Sequence, residues 1–179
     1  MYLILLLFVL PSIPLEKEFF TVKTFSLKFT SSQDKAVSFS DGRRLFGDGK
    51  TYRGFFAGVA GGILVGVLQI WLQGAFSLSM LPAQTLLSII LLATGALLGD
   101  LAKSFFKRRL GKASGERWPV ADQYDLVAGA LLMLAVFDLP WLIDAVTLPV
   151  LFWILVLTPI LHKTANMIGY LAGVKDVPW

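Results

Sequence analysis

The chain has no cysteine, a single histidine and only twelve acidic residues, and charged side chains make up 16% of its 179 positions. Without cysteine there is neither a disulfide framework nor a thiolate metal site. With one histidine, no Ser/His/Asp arrangement can be assembled, and His162, with Asn166 one turn further on the same face, reads more simply as an interfacial residue than as a catalytic base. Soluble domains average about 25% charged residues, so the shortage of charge also argues against an ordinary soluble domain. Hydrophobic residues instead reach 56%, and the formal net charge is +4.

The apolar residues come in runs. A helix crosses about 30 Å of hydrocarbon with roughly 20 apolar residues, and residues 55–74 supply that length without one charge. Residues 83–98 form a second uncharged run that continues into Gly99-Asp100-Leu101. Residues 126–137 and 148–161 are apolar but short, so either flanking residues such as 140–143 are expected to complete a crossing or the helices are expected to tilt little. Residues 2–13 resemble a short or partial first span. The alternation of Phe25, Leu27 and Phe29 with polar neighbours is a weak strand signal, and residues 31–40 read as polar loop. The expected fold is all-α, a polytopic membrane helix bundle of about five transmembrane helices whose cytoplasmic loops form a polar site. Residues 1–40 are set apart as a divergent amino-terminal segment from a membrane-embedded domain over 41–179.

Lys and Arg near span ends tend to stay on the cytoplasmic side. Ten of the sixteen basic residues fall in two stretches, 41–53 and 100–118, whereas residues 75–82 and 138–147 contain none. Both basic stretches and the carboxyl terminus are therefore expected to face the cytoplasm. Glycines recur within the spans, at Gly54, Gly58, Gly61, Gly62 and Gly66 and at Gly95 and Gly99, and small residues at such spacing let helices approach closely. Cations interleaved with spans, rather than laid along an exposed strip, make nucleic acid a poor partner.

Three polar blocks could carry chemistry. The first, Asp41 to Gly54, holds Arg43, Arg44, Lys50 and Arg53 among glycines that let backbone amides approach phosphate oxygens. It fails as a Walker A loop because Arg44 stands where a glycine is needed. A membrane anchor would explain its cations but needs neither Asp41 nor Asp48. In the second, Asp100, Lys103, Ser104 and Lys107 share one helical face, forming either a local salt bridge or a metal or phosphate site. The third, Asp122-Gln123-Tyr124-Asp125, places two carboxylates at i and i+3. Such hard oxygen donors suit magnesium bridging to phosphates, although helix capping accounts for one of them.

Taken in order, three motifs resemble the CDP-archaeol synthase family: Asp41-Gly-Arg-Arg-x-x-Gly-x-Gly-Lys50-Thr51-x-Arg-Gly54, Gly99-Asp100-x-x-x-Ser104-Phe-x-Lys107-Arg108-Arg109, and Pro119-x-x-Asp122-Gln123-x-Asp125. The ending Lys175-Asp176-Val177-Pro178-Trp179 is similar too, so the resemblance covers 41–179. It departs at 1–40, which shows neither the Asn near the end of a full first span nor the Pro-Ile-Asp type segment usual in the family. The related CDP-diacylglycerol synthases usually have Arg where Gln123 stands. The resemblance implies a cytidylyltransferase that joins CTP to an unsaturated isoprenoid ether-lipid phosphate, with magnesium, in the cell membrane. It further implies that Asp100, Asp122 and Asp125 hold the metal, with Lys107, Arg108 and Asp122 catalytic. Arg43, Arg44, Lys50, Thr51, Lys103, Ser104 and Arg109 would bind phosphate groups. Two other classes remain open: a CTP-dependent polyprenol kinase, and a non-enzymatic transporter or assembly subunit.

Overall fold

The computed structural model describes residues 52–77, 82–112 and 116–173. The readings made on residues 1–40, on the 40/41 boundary, on Arg43, Arg44, Lys50 and Thr51, and on the Lys175 to Trp179 ending lie outside the described residues. Every described element is a helix: α1 (Tyr52–Ala75), α2 (Leu86–Arg109), α3 (Ala121–Phe137), α4 (Leu139–Ala145) and α5 (Leu148–Leu171). The helices α1, α2 and α5 have 24 residues each and are long and apolar enough to cross a membrane. At 1.5 Å per residue, each is about 36 Å long.

Two expectations are corrected. The last apolar run does not stop near residue 161 but continues as one helix to Leu171, so His162 lies well inside it. Helical hydrogen bonds are made along the backbone, and the polar residues His162, Lys163, Thr164 and Asn166 are compatible with them. Nor do residues 140–143 lengthen the run at 126–137. The chain leaves helical geometry at Asp138 (φ −149°, ψ 56°), and the Asp138 side chain accepts a hydrogen bond from the Trp141 amide as α4 begins. That cap, with a proline in the first turn, starts a separate helix. Consequently α3 has 17 residues, and α4 serves as the turn between α3 and α5. The Trp141 indole donates to the Ala83 carbonyl at 2.8 Å, tying that turn to the approach to α2. There Thr85 and the fully buried Ser88 form a reciprocal capping box.

The helices pack through glycines in two ways. Along α1, Gly58, Gly62 and Gly66 face Leu97, Ala93 and Ile89 of α2, so side chains of one helix fill notches in the other, while Gly61 faces open space. Between α2 and α3 the backbones themselves touch: an added Cβ at Gly99 would strike the Asp125 carbonyl, and one at Gly129 would strike Gly95 and Gly99. Around that contact sits the apolar core, including Leu92, Ala96, Val127, Ala130, Leu134 and Ile154. By contrast, large apolar side chains such as Leu64 and Trp71 on α1 and Phe152 and Ile160 on α5 are exposed, which suits contact with lipid rather than water.

Candidate active site

The glycine contact between α2 and α3 brings together the polar end of each helix. On α2, Asp100, Lys103, Ser104 and Lys107 recur at three- and four-residue spacing and form one stripe; Ser104 and Lys107 are buried. On α3, Asp122 and Asp125 lie one turn apart in the first turns. Since Gly99 meets the Asp125 backbone directly, the residue after Gly99 and the stripe that follows it stand against the start of α3.

Lys103 is the hub. Its ammonium lies 2.6 Å from Asp125 Oδ2, 3.3 Å from Asp100 Oδ1 and 3.4 Å from Asp122 Oδ1. Asp125 is the most enclosed of the three acids, with a side chain 6% exposed. Its other oxygen accepts the Leu126 amide at 2.8 Å. Asp122 is held from both sides: Lys107 Nζ lies 3.5 Å from its Oδ1, and the Trp118 amide donates to its Oδ2 at 2.7 Å. Neither carboxylate caps the helix: its N-cap, Val120, has no side-chain cap hydrogen bond, and Asp122 reaches back to the Trp118 amide that precedes it. Three carboxylates face two ammonium groups here. At low effective dielectric such charges are costly unless paired, and each acid has a cationic partner.

The arginines adjoin this cluster. Arg108 donates from Nη1 to the Lys112 carbonyl at 2.7 Å, holding the turn after α2. The Arg109 guanidinium stands 4.9 Å from the centre of the Phe105 ring, within the range of a cation–π contact. Lys112 pairs with Glu116 at 2.7 Å, on the same turn but outside the stripe. Of the expected site residues, the structure therefore gathers Asp100, Lys103, Ser104, Lys107, Asp122 and Asp125, with Arg108 and Arg109 at the same helix end.

Among the described residues, no group of three His, Cys, Asp or Glu side chains is poised to hold a metal ion unaided. The donor set nonetheless fits magnesium by its chemistry. Three hard carboxylates all lie within 3.4 Å of the Lys103 ammonium, and magnesium is ordinarily held by one or two carboxylates together with substrate phosphates and water. Two features of the site escaped the sequence reading. One is Gly129, whose partnership with Gly95 and Gly99 sets the approach of the helices; a lone glycine one turn after Asp125, opposite a Gly-x-x-x-Gly pair, was the available signal. The other is Tyr124, whose hydroxyl donates to the Leu155 carbonyl of α5 at 2.8 Å.

The chain matches the family model described as CarS-like CDP-archaeol synthase over residues 5–179, a stretch that starts upstream of Asp41. It is 64% identical over 146 residues to the CDP-archaeol synthase of Methanoculleus marisnigri, a match covering 82% of this chain and 88% of that protein. Over the same length and shares it is 58% identical to the CDP-archaeol synthase of Methanoregula boonei. It is 41% identical over 155 residues to that of Methanosarcina barkeri, covering 82% of this chain and 89% of the relative. A solved intramembrane enzyme of archaeal membrane lipid biosynthesis is similar in fold, with a TM-score of 0.56 and 28% identity, over 95% of this chain and 92% of that one.

Proposed function

The chain belongs to the CDP-archaeol synthase family, and on that premise we propose which of its residues carry the reaction and which side of the membrane they face. The protein is a membrane enzyme, a CTP-dependent cytidylyltransferase of archaeal phospholipid biosynthesis. Its lipid substrate is 2,3-bis-O-(geranylgeranyl)-sn-glycerol 1-phosphate, and its products are the corresponding CDP-lipid and pyrophosphate. An oxygen of the lipid phosphate attacks the α-phosphorus of CTP. The bond from that phosphorus to the bridging oxygen of the β-phosphate breaks, and pyrophosphate leaves with the electron pair. Because the nucleophile is already an anion, no general base is required, consistent with a reading that gives His162 no task.

What the protein must supply is position and charge neutralisation. Asp122 and Asp125, with Asp100, would hold magnesium, which neutralises negative charge on the triphosphate. Lys107, Arg108 and Arg109 stand at the same helix end, suited to the departing pyrophosphate. Lys103 and Ser104 lie within the cluster, suited to phosphate oxygens once the acids have another cation to face. Arg43, Arg44, Lys50 and Thr51, on the segment preceding α1, complete the phosphate-binding set. The site faces the cytoplasm, where CTP is dissolved; the concentration of Lys and Arg in the 41–53 and 100–118 stretches supports this orientation. The isoprenoid chains remain in the bilayer.

The observation that carries this reading is the meeting of Asp100, from one sequence block, with Asp122 and Asp125, from another, around one ammonium group. Its test is the purified protein mixed with magnesium, the geranylgeranyl ether-lipid phosphate and CTP labelled at the α- or γ-phosphate. The reading expects α-label in the lipid and γ-label in pyrophosphate, with Asp122→Asn lowering the rate by about 10³-fold. Label from the γ-phosphate in the lipid would identify a kinase, and full turnover by Asp122→Asn would remove that acid from the site.

A further inference from the structure

Proline at position 159 lies inside α5. It has no amide hydrogen, so the carbonyl four residues earlier, Leu155, loses its helical donor, and the ring presses that carbonyl outward from the helix. The Tyr124 hydroxyl meets it, donating to Leu155 O at 2.8 Å. Leu155 is on an exposed apolar face of a helix long enough to span the membrane. In hydrocarbon no water is at hand to replace a missing donor. The adjacent turn is also tied down by a side chain, with Thr158 donating from its hydroxyl to the Ile154 carbonyl at 2.6 Å.

Tyr124 belongs to the Asp122-Gln123-Tyr124-Asp125 run. At 100° per residue it points well away from the direction shared by the two acids. The first turns of α3 are therefore held on two sides: Asp122 and Asp125 engage α2, and Tyr124 engages α5. We propose that Tyr124 is a positioning residue, whose phenol closes the hydrogen bond left open by Pro159 and so fixes the rotation of α3 that aims Asp122 and Asp125 into the active site. Tyr124 touches no substrate in this account. The proposal rests on the assignment of those acids to the site.

The test is a four-member cycle of the full-length protein in lipid: wild type, Tyr124→Phe, Pro159→Ala and the double variant, each followed by kcat, by KM for the lipid phosphate and by thermal midpoint. Alanine at 159 restores an amide donor to Leu155, so the phenol is no longer needed there. Tyr124→Phe lowers kcat about tenfold with KM for the lipid unchanged, whereas the same change in the Pro159→Ala background costs less than about threefold. Should Tyr124→Phe fail to fold, the double variant is expected to recover folded protein. Equal losses in the two backgrounds, unchanged kcat in folded Tyr124→Phe, or a double variant that does not recover would each overturn the proposal. Full activity in Asp122→Asn and Asp125→Asn would instead overturn the site on which it rests, whatever the cycle shows.

Discussion

The α1–α2 and α2–α3 contacts are both lined by glycine, yet they do different things. In the first, Gly58, Gly62 and Gly66 receive side chains from α2, ending with the tips of Leu97. In the second, Gly95, Gly99 and Gly129 bring backbone against backbone. The Leu97 tip in the Gly58 notch can shift by a rotamer; two backbones in contact have no such freedom. The rigid contact is the one that continues into the charged cluster of Asp100, Lys103, Asp122 and Asp125. Thus the glycines of α1 pack a helix, whereas those between α2 and α3 set the distance between carboxylates on separate helices.

This contrast can be broken by a ladder of substitutions. Gly129→Ala should have the largest effect, because the added methyl meets the backbone of Gly95 and Gly99; a loss of about 3 kcal/mol is expected, read as a lower thermal midpoint together with lost turnover. Lys103→Met removes the cation that Asp100, Asp122 and Asp125 share. A cost of about 2 kcal/mol is expected, below the range for a fully buried pair because these side chains are partly exposed. Added magnesium should restore part of the midpoint. Gly58→Ala meets only the Leu97 methyl groups and should cost less than about 1 kcal/mol, with turnover retained. Gly61→Ala meets nothing and should stabilise by about 0.5 kcal/mol through helix propensity. If Gly58→Ala and Gly129→Ala were equally damaging, the distinction between the two contacts would be lost.

The sequence made some of this legible and hid the rest for physical reasons. Uncharged runs at 55–74 and 83–98 mark α1 and α2, because a bilayer crossing demands apolar side chains over its full length. The stripe of Asp100, Lys103, Ser104 and Lys107 follows from helical periodicity alone. The true extent of α5 was hidden because His162 and Lys163 look like the end of an apolar run, although helix hydrogen bonds continue past them. The separate α4 was hidden because residues 140–143 read as a flank able to complete a short apolar run, while the Asp138 cap starts a new helix there. That Asp100, Asp122 and Asp125 share a site was an expectation from the sequence, but how closely they approach depends on Gly129 and on the contact of two backbones, a fact of three dimensions that spacing within either helix does not encode. Likewise, Pro159 and Tyr124 are 35 positions apart in the chain, and only packing reveals that one leaves open the hydrogen bond that the other closes.

The central claim is that the ends of α2 and α3 make one catalytic site. It is tested most directly by the rate of α-phosphate transfer from CTP to lipid in Asp100→Asn, Asp125→Asn and the variant carrying both. Residues that act as a unit are strongly non-additive, so the doubly substituted protein should be scarcely slower than the slower single variant. Losses that multiply independently, or a single variant that turns over at the wild-type rate, would contradict it.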